Sequence, residues 1–392
     1  MAKRRGRNEG SIWEERGNWR AAISLDGHRV TKTCGTKEEC KAWIRGMQNE
    51  IDLGLTFIAT QVTMEEYIDR WLSIHTSRLR QKTGPQYKQL SRDYIVPNLG
   101  KYRLRDLRVD TVETFYQLLL KKGVGVRTVR YVHSVLHRCL NDAVKRGIIG
   151  VNPTHGATLP RYEHDEMKYL FEDQALQFLI TARQSRFEAL YHLAIKTGMR
   201  QGELLGLKWN DLDLQKGTVG IKRQLQRISG QGLVFSPPKT KAGRRTIQLG
   251  EQSVQILHTH RENQMVERVI AGERWQEQGL IFTTSIGTPF DPRSLLRNFK
   301  ALLKLAGLDE MRFHDLRHTA ASLMLNNGVP ILVVTKILGH SKPSTTLDIY
   351  GHLVPVMQEE AARIMDGLIT PIPVDFGNML NVDVSVAEND GE

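Results

Sequence analysis

"MRFHDLRHTAASLMLNNGVPILVVTKILGH", residues 311–340, decides how the C-terminal half of this chain is read. His314 and Arg317 stand three residues apart, which places both on one helix face. Ala320, Leu323 and Met324 continue the apolar stripe of that helix. Leu338-Gly339 ends a further helix, and His340 follows at once. His314 and His318 are also four apart, the spacing of a helical metal pair. The residues between them are Asp-Leu-Arg, however, not the glutamate-bearing pattern of such sites, and an arginine beside a cation is repulsive.

Composition bounds what those polar groups meet. The chain has 392 residues, enough for two or three domains. Its 40% hydrophobic and 25% charged content is ordinary for globular protein. The charge balance is less ordinary: 55 Lys and Arg against 43 Asp and Glu give a net charge of +12, with a pI near 9.6. Such an excess points to a polyanion, nucleic acid before an anionic membrane. No run reaches the roughly 20 apolar residues of a spanning helix, and no apolar segment follows the basic "MAKRRGRNEG", so a secretory signal is not expected. Cys34, Cys40 and Cys139 are odd in number and lack metal-ligand spacing, which suits a reducing cytoplasm.

Four segments are expected. In residues 1–58, Trp13, Trp19, Ala21 and Ile23 alternate with polar neighbours, Asp26-Gly27 signals a hairpin, and Cys40, Trp43, Ile44 and Met47 take a helical period. Three short strands and one helix form a module able to lay its sheet in a DNA groove. Residues 59–156 read as helices rich in Lys and Arg. Thr63 with Glu66 forms a capping box, and Gly123, Gly147 and Gly150 act as helix stops. "NPTHGATLPRYEHDEMKYL" reads as a linker. Residues 157–370 open with helices, pass through a short β region whose "GLVFSPPKTKAGRRTIQL" suggests a hairpin flanking Ala242-Gly243, and return to helices. Residues 371–392 form an acidic tail, expected to be mobile. The fold class is therefore multidomain and mainly α, with small β elements.

Chemistry concentrates in the third segment. In "TGMRQGELLGLKW" a helix ends at Gly198, and Arg200 opens the next helix, well placed to grip a phosphate. Glu203 follows three residues on, as a partner that orients Arg200. "PPKTKAGRRTIQL" carries Lys239 and Lys241, either of which reaches out as a cationic finger. "STTLDIYGHL", residues 344–353, holds Tyr350, with His352 beside it. A tyrosine hydroxyl, with its pKa of about 10, is a poor nucleophile until cations stabilise both the phenolate and a phosphorane-like transition state. Two arginines, a lysine and two histidines on one phosphate supply that setting without a metal ion.

Arg200, Lys239, His314, Arg317, His340 and Tyr350, in this order across some 150 residues, resemble the signature of the tyrosine recombinases, and within them the integrases of phages and conjugative transposons. The resemblance covers essentially the whole chain: an arm-type DNA-binding module, a helical core-site-binding domain and a catalytic domain. It implies that Tyr350 attacks a DNA phosphodiester, leaving a 3′-phosphotyrosine and a free 5′-hydroxyl. Arg200 and Arg317 would hold the non-bridging oxygens, His314 would be the base, His340 a hydrogen-bond donor, and Lys239, matching the Lys-Thr pair after the strand, the acid. It further implies no cofactor, a homotetramer exchanging strands through a Holliday junction, double-stranded attachment sites of core and arm type, and a host DNA-bending protein and directionality factor as partners in the bacterial cytoplasm. The rival readings are a type IB topoisomerase-like enzyme and a catalytically silent DNA-binding regulator.

Overall fold

Two turns that only a few residue types tolerate shape the N-terminal sheet. Asp26 and Gly27 take φ of 52° and 80°, and Arg16 and Gly17 take 52° and 77°. Positive φ at both central residues is the two-residue hairpin turn whose twist matches the flanking strands. The strands β1 (Ser11–Glu15), β2 (Asn18–Leu25) and β3 (His28–Cys34) are accordingly antiparallel in the order β1-β2-β3. Ala21, Ile23 and Leu25 of β2 are buried, and helix α1 (Lys37–Asp52) lies against that strand with Cys40, Ile44 and Met47 buried. This computed structural model describes residues 9–52, 61–76, 79, 82–163, 167–238, 240–350 and 362–367. The chain divides into two units, Met1–Asp165 and Glu166–Glu392.

The rest of the first unit is helical. Helix α2 (Met64–Thr76) starts at a reciprocal cap: the Thr63 amide donates to Glu66 at 2.9 Å, and the Glu66 amide donates to the Thr63 hydroxyl at 3.3 Å. Helix α3 (Thr83–Leu90) runs through a π turn at Ser91–Ile95 into α4 (Val96–Leu99). Pro97 has no amide hydrogen and so leaves one rung of the ladder unmade; the Asn98 side chain donates to the Tyr94 carbonyl, and the regular bond resumes with the Gly100 amide donating to the Val96 carbonyl at 2.9 Å. Helices α5 (Val109–Lys121) and α6 (Val126–Lys145) complete a core around Met64, Ile68, Phe115, Val132 and Leu136. Gly123 and Gly147 terminate them with positive φ, whereas Gly150 does not adopt that conformation. Part of the stretch read as a linker is packed: Ala157 and Leu159 lie on the helical core, and the Thr158 amide donates to Glu113 at 2.7 Å.

The second unit has its own core, centred on Phe178, Leu190, Tyr191, Leu204, Phe299 and Phe313. These come from α7 (Glu172–Ala182), α8 (Glu188–Thr197), α9 (Gln201–Leu205), α11 (Pro292–Leu305) and the segment before α12 (Asp315–Asn326). Between α9 and α11 lie β4 (Leu212–Asp213), β5 (Thr218–Ile221), β6 (Gln224–Ile228), β7 (Gly232–Ser236), β8 (Arg245–Gln248) and the long α10 (Glu251–Ala271). Here the structure corrects the sequence reading. β7 and β8 do not form one hairpin: β7 pairs with β6, while β8 pairs with β5 in the sheet β4-β5-β8. Pro237 and Pro238 explain the break, because neither can donate to a ladder and the chain leaves the β6-β7 ribbon there. Lys239 lies outside the described residues, and the segment that carries it connects two sheets.

Helices α13 (Ile331–Leu338) and α14 (Pro343–Tyr350) close the unit over a smaller apolar cluster of Ala321, Leu325, Val334, Leu338 and Tyr350. The acidic tail and His352 lie outside the described residues. Gly198 brings α8 against this cluster. It sits at φ 61°, and a Cβ there would lie 2.5 Å from Leu338 Cδ2 and 3.3 Å from Ala320 Cβ. Gly198→Ala therefore combines left-handed strain with overpacking and is expected to cost about 2–4 kcal/mol. Urea unfolding of the full chain measures it; a change below about 0.5 kcal/mol would contradict this packing.

Candidate active site

Gly198 ends α8 in the left-handed conformation, and Arg200 becomes the N-cap of α9 in extended backbone. The turn forces Arg200 off the helix and towards Glu203, three residues on. The Arg200 amide donates to Glu203 Oε2 at 3.1 Å and its Nη1 to Oε1 at 2.8 Å. Glu203 is 2% exposed. From the other side, Arg245 of β8 donates through Nη2 to Glu203 Oε2 at 3.0 Å. Arg245 is also fixed by the carbonyls of Gly243 and Ile337. Burial alone would raise the Glu203 carboxyl pKa, but Arg245 and Arg200 outweigh it and hold the group below the ordinary carboxylate range.

Arg317 lies on α12, 3% exposed. Its Nη1 donates to the Gly198 carbonyl at 2.8 Å, whereas its Nη2 is buried and has no hydrogen-bond partner among the described residues. Its pKa is pushed down to about 9 by burial and by the charges of Arg200 and Arg245, against the opposing pull of Glu203 and Tyr350. A buried guanidinium donor left open is costly. Three arginines against one carboxylate leave this corner short of negative charge.

The histidines are neutral at pH 7. His340 follows the left-handed Gly339, where a Cβ would lie 2.8 Å from Arg245 Nη1 and 2.9 Å from the Ala242 carbonyl. Burial and the charges of Arg317, Arg200 and Arg245 push the His340 pKa down to about 4. Thr335 donates to the Thr346 hydroxyl at 2.8 Å, which leaves the Thr346 proton for His340 Nδ1, also 2.8 Å away. That chain places the His340 ring proton on Nε2, as a donor. His314, the N-cap of α12, keeps an exposed flank, yet partial desolvation and the nearby Arg317, His318 and Arg200 push its pKa down to about 4.

Tyr350 ends α14 with only 1% of its surface exposed. Its hydroxyl is hydrogen-bonded to His318 Nδ1 at 2.8 Å. Burial raises the hydroxyl pKa above its ordinary value, while Arg317 pulls it back. Of the residues singled out in the sequence, Arg200 is tied through Glu203 to Arg245, Arg317, His340 and His314 feel the arginine charges, and Tyr350 reaches His318. Lys239 lies outside the described residues, and Lys241 is exposed at the start of the Lys241–Gly243 turn. Sequence reading missed Arg245, His318 and the Thr335-Thr346 pair. Arg245 stood inside the quoted "GRRTI", and His318 had been weighed only as a metal ligand.

Residues 168–355 match the phage integrase family, and residues 63–120 match the phage integrase N-terminal SAM-like domain. The "Tyrosine recombinase XerC-like" protein of Caldanaerobacter subterraneus subsp. tengcongensis is 30% identical over 85% of this chain and 90% of its own length. The chain belongs to the phage integrase family of tyrosine recombinases. It is a tyrosine-type site-specific recombinase. The integrase of Streptomyces ambofaciens is 29% identical over 94% of this chain and 98% of its own length. The fold of the present chain is similar to that of the transposon Tn1549 integrase in complex with a circular intermediate DNA (TM-score 0.67, 20% identity, 78% of this chain and 100% of that chain). The lambda integrase dimer on a COC′ core site matches with a TM-score of 0.56, at 19% identity over 86% of this chain and 93% of that chain.

In this integrase, Glu203 is the only carboxylate among the described residues that bonds both Arg200 and Arg245. Glu203→Gln leaves Arg245 buried without its counter-charge, an expected loss of about 3–5 kcal/mol at pH 7. Because the folded-state pKa of Glu203 is lowered, its contribution is present above the unfolded carboxylate range and is lost as pH falls through the folded value. The gap between wild type and Glu203→Gln should therefore narrow on acidification below about pH 4.5, as urea unfolding across pH would read; a constant gap would contradict the ion-pair account.

Proposed function

We propose that this integrase joins and releases a mobile element by cutting and resealing double-stranded DNA at attachment sites, with Tyr350 as nucleophile. The observation that carries this reading is the buried, unpartnered Nη2 of Arg317 beside Arg200 and Tyr350. A phosphodiester seated there supplies the missing acceptor and the missing negative charge. Arg317 and Arg200 then hold the two non-bridging oxygens, Arg200 turning part of its fork from Glu203 to the phosphate. His340, with its proton on Nε2, donates to the same group. His314 is the base candidate that the sequence signature names, and Lys239 is the acid for the leaving 5′ oxygen.

Attack by Tyr350 Oη breaks the bond to the 5′ oxygen and leaves a 3′-phosphotyrosine. The bond energy is kept, so a 5′-hydroxyl from another strand reseals the backbone without a cofactor. Four copies exchanging strands in pairs through a Holliday junction complete the exchange. The solved lambda integrase tetramer bound to a Holliday junction supports this by likeness of fold. The N-terminal sheet takes arm-type sites and the helical domain takes core sites. Duplex DNA is stiff over roughly 50 nm, so engaging two nearby sites calls for a host DNA-bending protein, with a directionality factor to select excision. The reaction belongs in the cytoplasm of the bacterial host, on DNA.

Nicked suicide duplexes carrying the junctions of the element that encodes this chain test the reading. Wild type is expected to give a covalent protein–DNA band on denaturing gels, and Tyr350→Phe to bind the same duplex but give none. A band of equal strength from Tyr350→Phe would remove Tyr350 from the chemistry.

A further inference from the structure

The nucleophile's hydrogen bond does not go to the histidine of the recombinase signature. Tyr350 Oη lies 2.8 Å from His318 Nδ1, with the two rings tilted at 57° and their centroids 5.9 Å apart. His318 directly follows Arg317 on α12, so adjacent residues present one group to the anion corner and one to the hydroxyl. His314 stands edge-on to His318, with centroids 5.4 Å apart at 84°. We propose that His318 is the group that takes the proton from Tyr350 as it attacks, leaving His314 free to bond the phosphate. This rests on the proposed recombinase mechanism and assigns one of its proton transfers to a residue outside the signature.

For Nδ1 to accept from the hydroxyl, the neutral ring must carry its proton on Nε2. Burial lowers the His318 pKa, Asp315 opposes that, and Arg317 and Arg312 reinforce it. The groups that face the ring are thus Asp315, Arg312, Arg317 and His314 on or beside its own helix, and Tyr350 from α14. Asp315 is 1% exposed and anchored by the Arg312 amide at 2.8 Å. It is therefore a fixed negative charge beside the imidazolium that forms on transfer. In cleavage the Oη–H proton passes to Nδ1 as Oη bonds to phosphorus. The bond to the 5′ oxygen breaks, and that oxygen takes a proton from the acid, Lys239 in the proposed mechanism. In religation the incoming 5′-hydroxyl returns its proton to that acid, now deprotonated, as its oxygen bonds to phosphorus and displaces Oη, which recovers its proton from His318.

The test compares wild type, His318→Ala and His318→Asn on two nicked duplexes, one with an ordinary scissile phosphate and one with a 5′-bridging phosphorothiolate. The sulfur leaves without needing a proton, so only defects on the nucleophile side survive on that substrate. Asparagine keeps a hydrogen-bonding atom near the place of Nδ1 but cannot carry a proton at neutral pH. It also guards against a folding defect in the alanine variant, and gel shifts on the same duplex confirm binding. Both variants are expected to cleave about 100-fold or more slowly on both substrates. Both should also lose the fall in rate that wild type shows on acidification, as His318 takes up a proton. Near-wild-type cleavage by His318→Asn would overturn the proposal, since a hydrogen bond alone would then suffice. A deficit erased by the phosphorothiolate would overturn it too, by placing His318 on the leaving-group side. Absence of any Tyr350-dependent adduct from wild type would fell the recombinase mechanism itself, a result distinct from both of these.

Discussion

Uncompensated positive charge, held in place by one buried carboxylate, is the constraint on which the catalytic unit depends. Glu203 draws Arg200 and Arg245 together, and the Gly198 carbonyl holds Arg317 beside them. Burial pushes Arg317 down to about 9, and the charges of Arg200 and Arg245, which a single carboxylate does not neutralise, add to that. Burial, reinforced by the same charges, keeps His314 and His340 neutral. On the proposed reading, such a corner favours an anion and presents it with His314 and His340 in their neutral forms. In the proposed reaction, a phosphate arriving here would relieve the crowding of like charges, and charge developing on its oxygens would meet donors already in position.

The fold serves this corner through close backbone approaches. Gly198 and Gly339 are both left-handed glycines at helix ends, and each brings its loop within contact of the arginines or their supports. Gly198 delivers Arg200 and a carbonyl for Arg317, while Gly339 delivers His340 against Arg245. Tyr350 is placed differently: it fills an apolar cluster with Leu325, Val334 and Leu338. With 1% of its surface exposed, Tyr350 is shielded from water.

Much of this was legible in the sequence, for definite reasons. Asp26-Gly27 and the Thr63-Glu66 cap are short-range signals, set by residues within four positions of each other, and both formed as read. Arg16-Gly17 makes an equivalent turn and was passed over because arginine is rarely placed at positive φ. The β region was misread because pairing is a long-range choice: the proline pair ends β7, and the strand before it, β6, lacked a strong alternating pattern. His318 was set aside as a failed metal ligand, since its partner Tyr350 lies 32 residues away and only the fold brings them together. Arg245 was invisible for the same reason, its carboxylate being 42 residues distant.

The central claim is that Arg317 acts on the charge of the scissile phosphate. The most direct measurement is the cleavage rate of wild type and Arg317→Ala on two duplexes, one with a natural scissile phosphate and one with a neutral methylphosphonate there. If Arg317 serves the phosphate charge, its loss should slow cleavage of the natural link by about 100-fold or more and matter far less on the neutral link. An equal penalty on both substrates would mean that Arg317 only supports the fold, and the account of the site would fail.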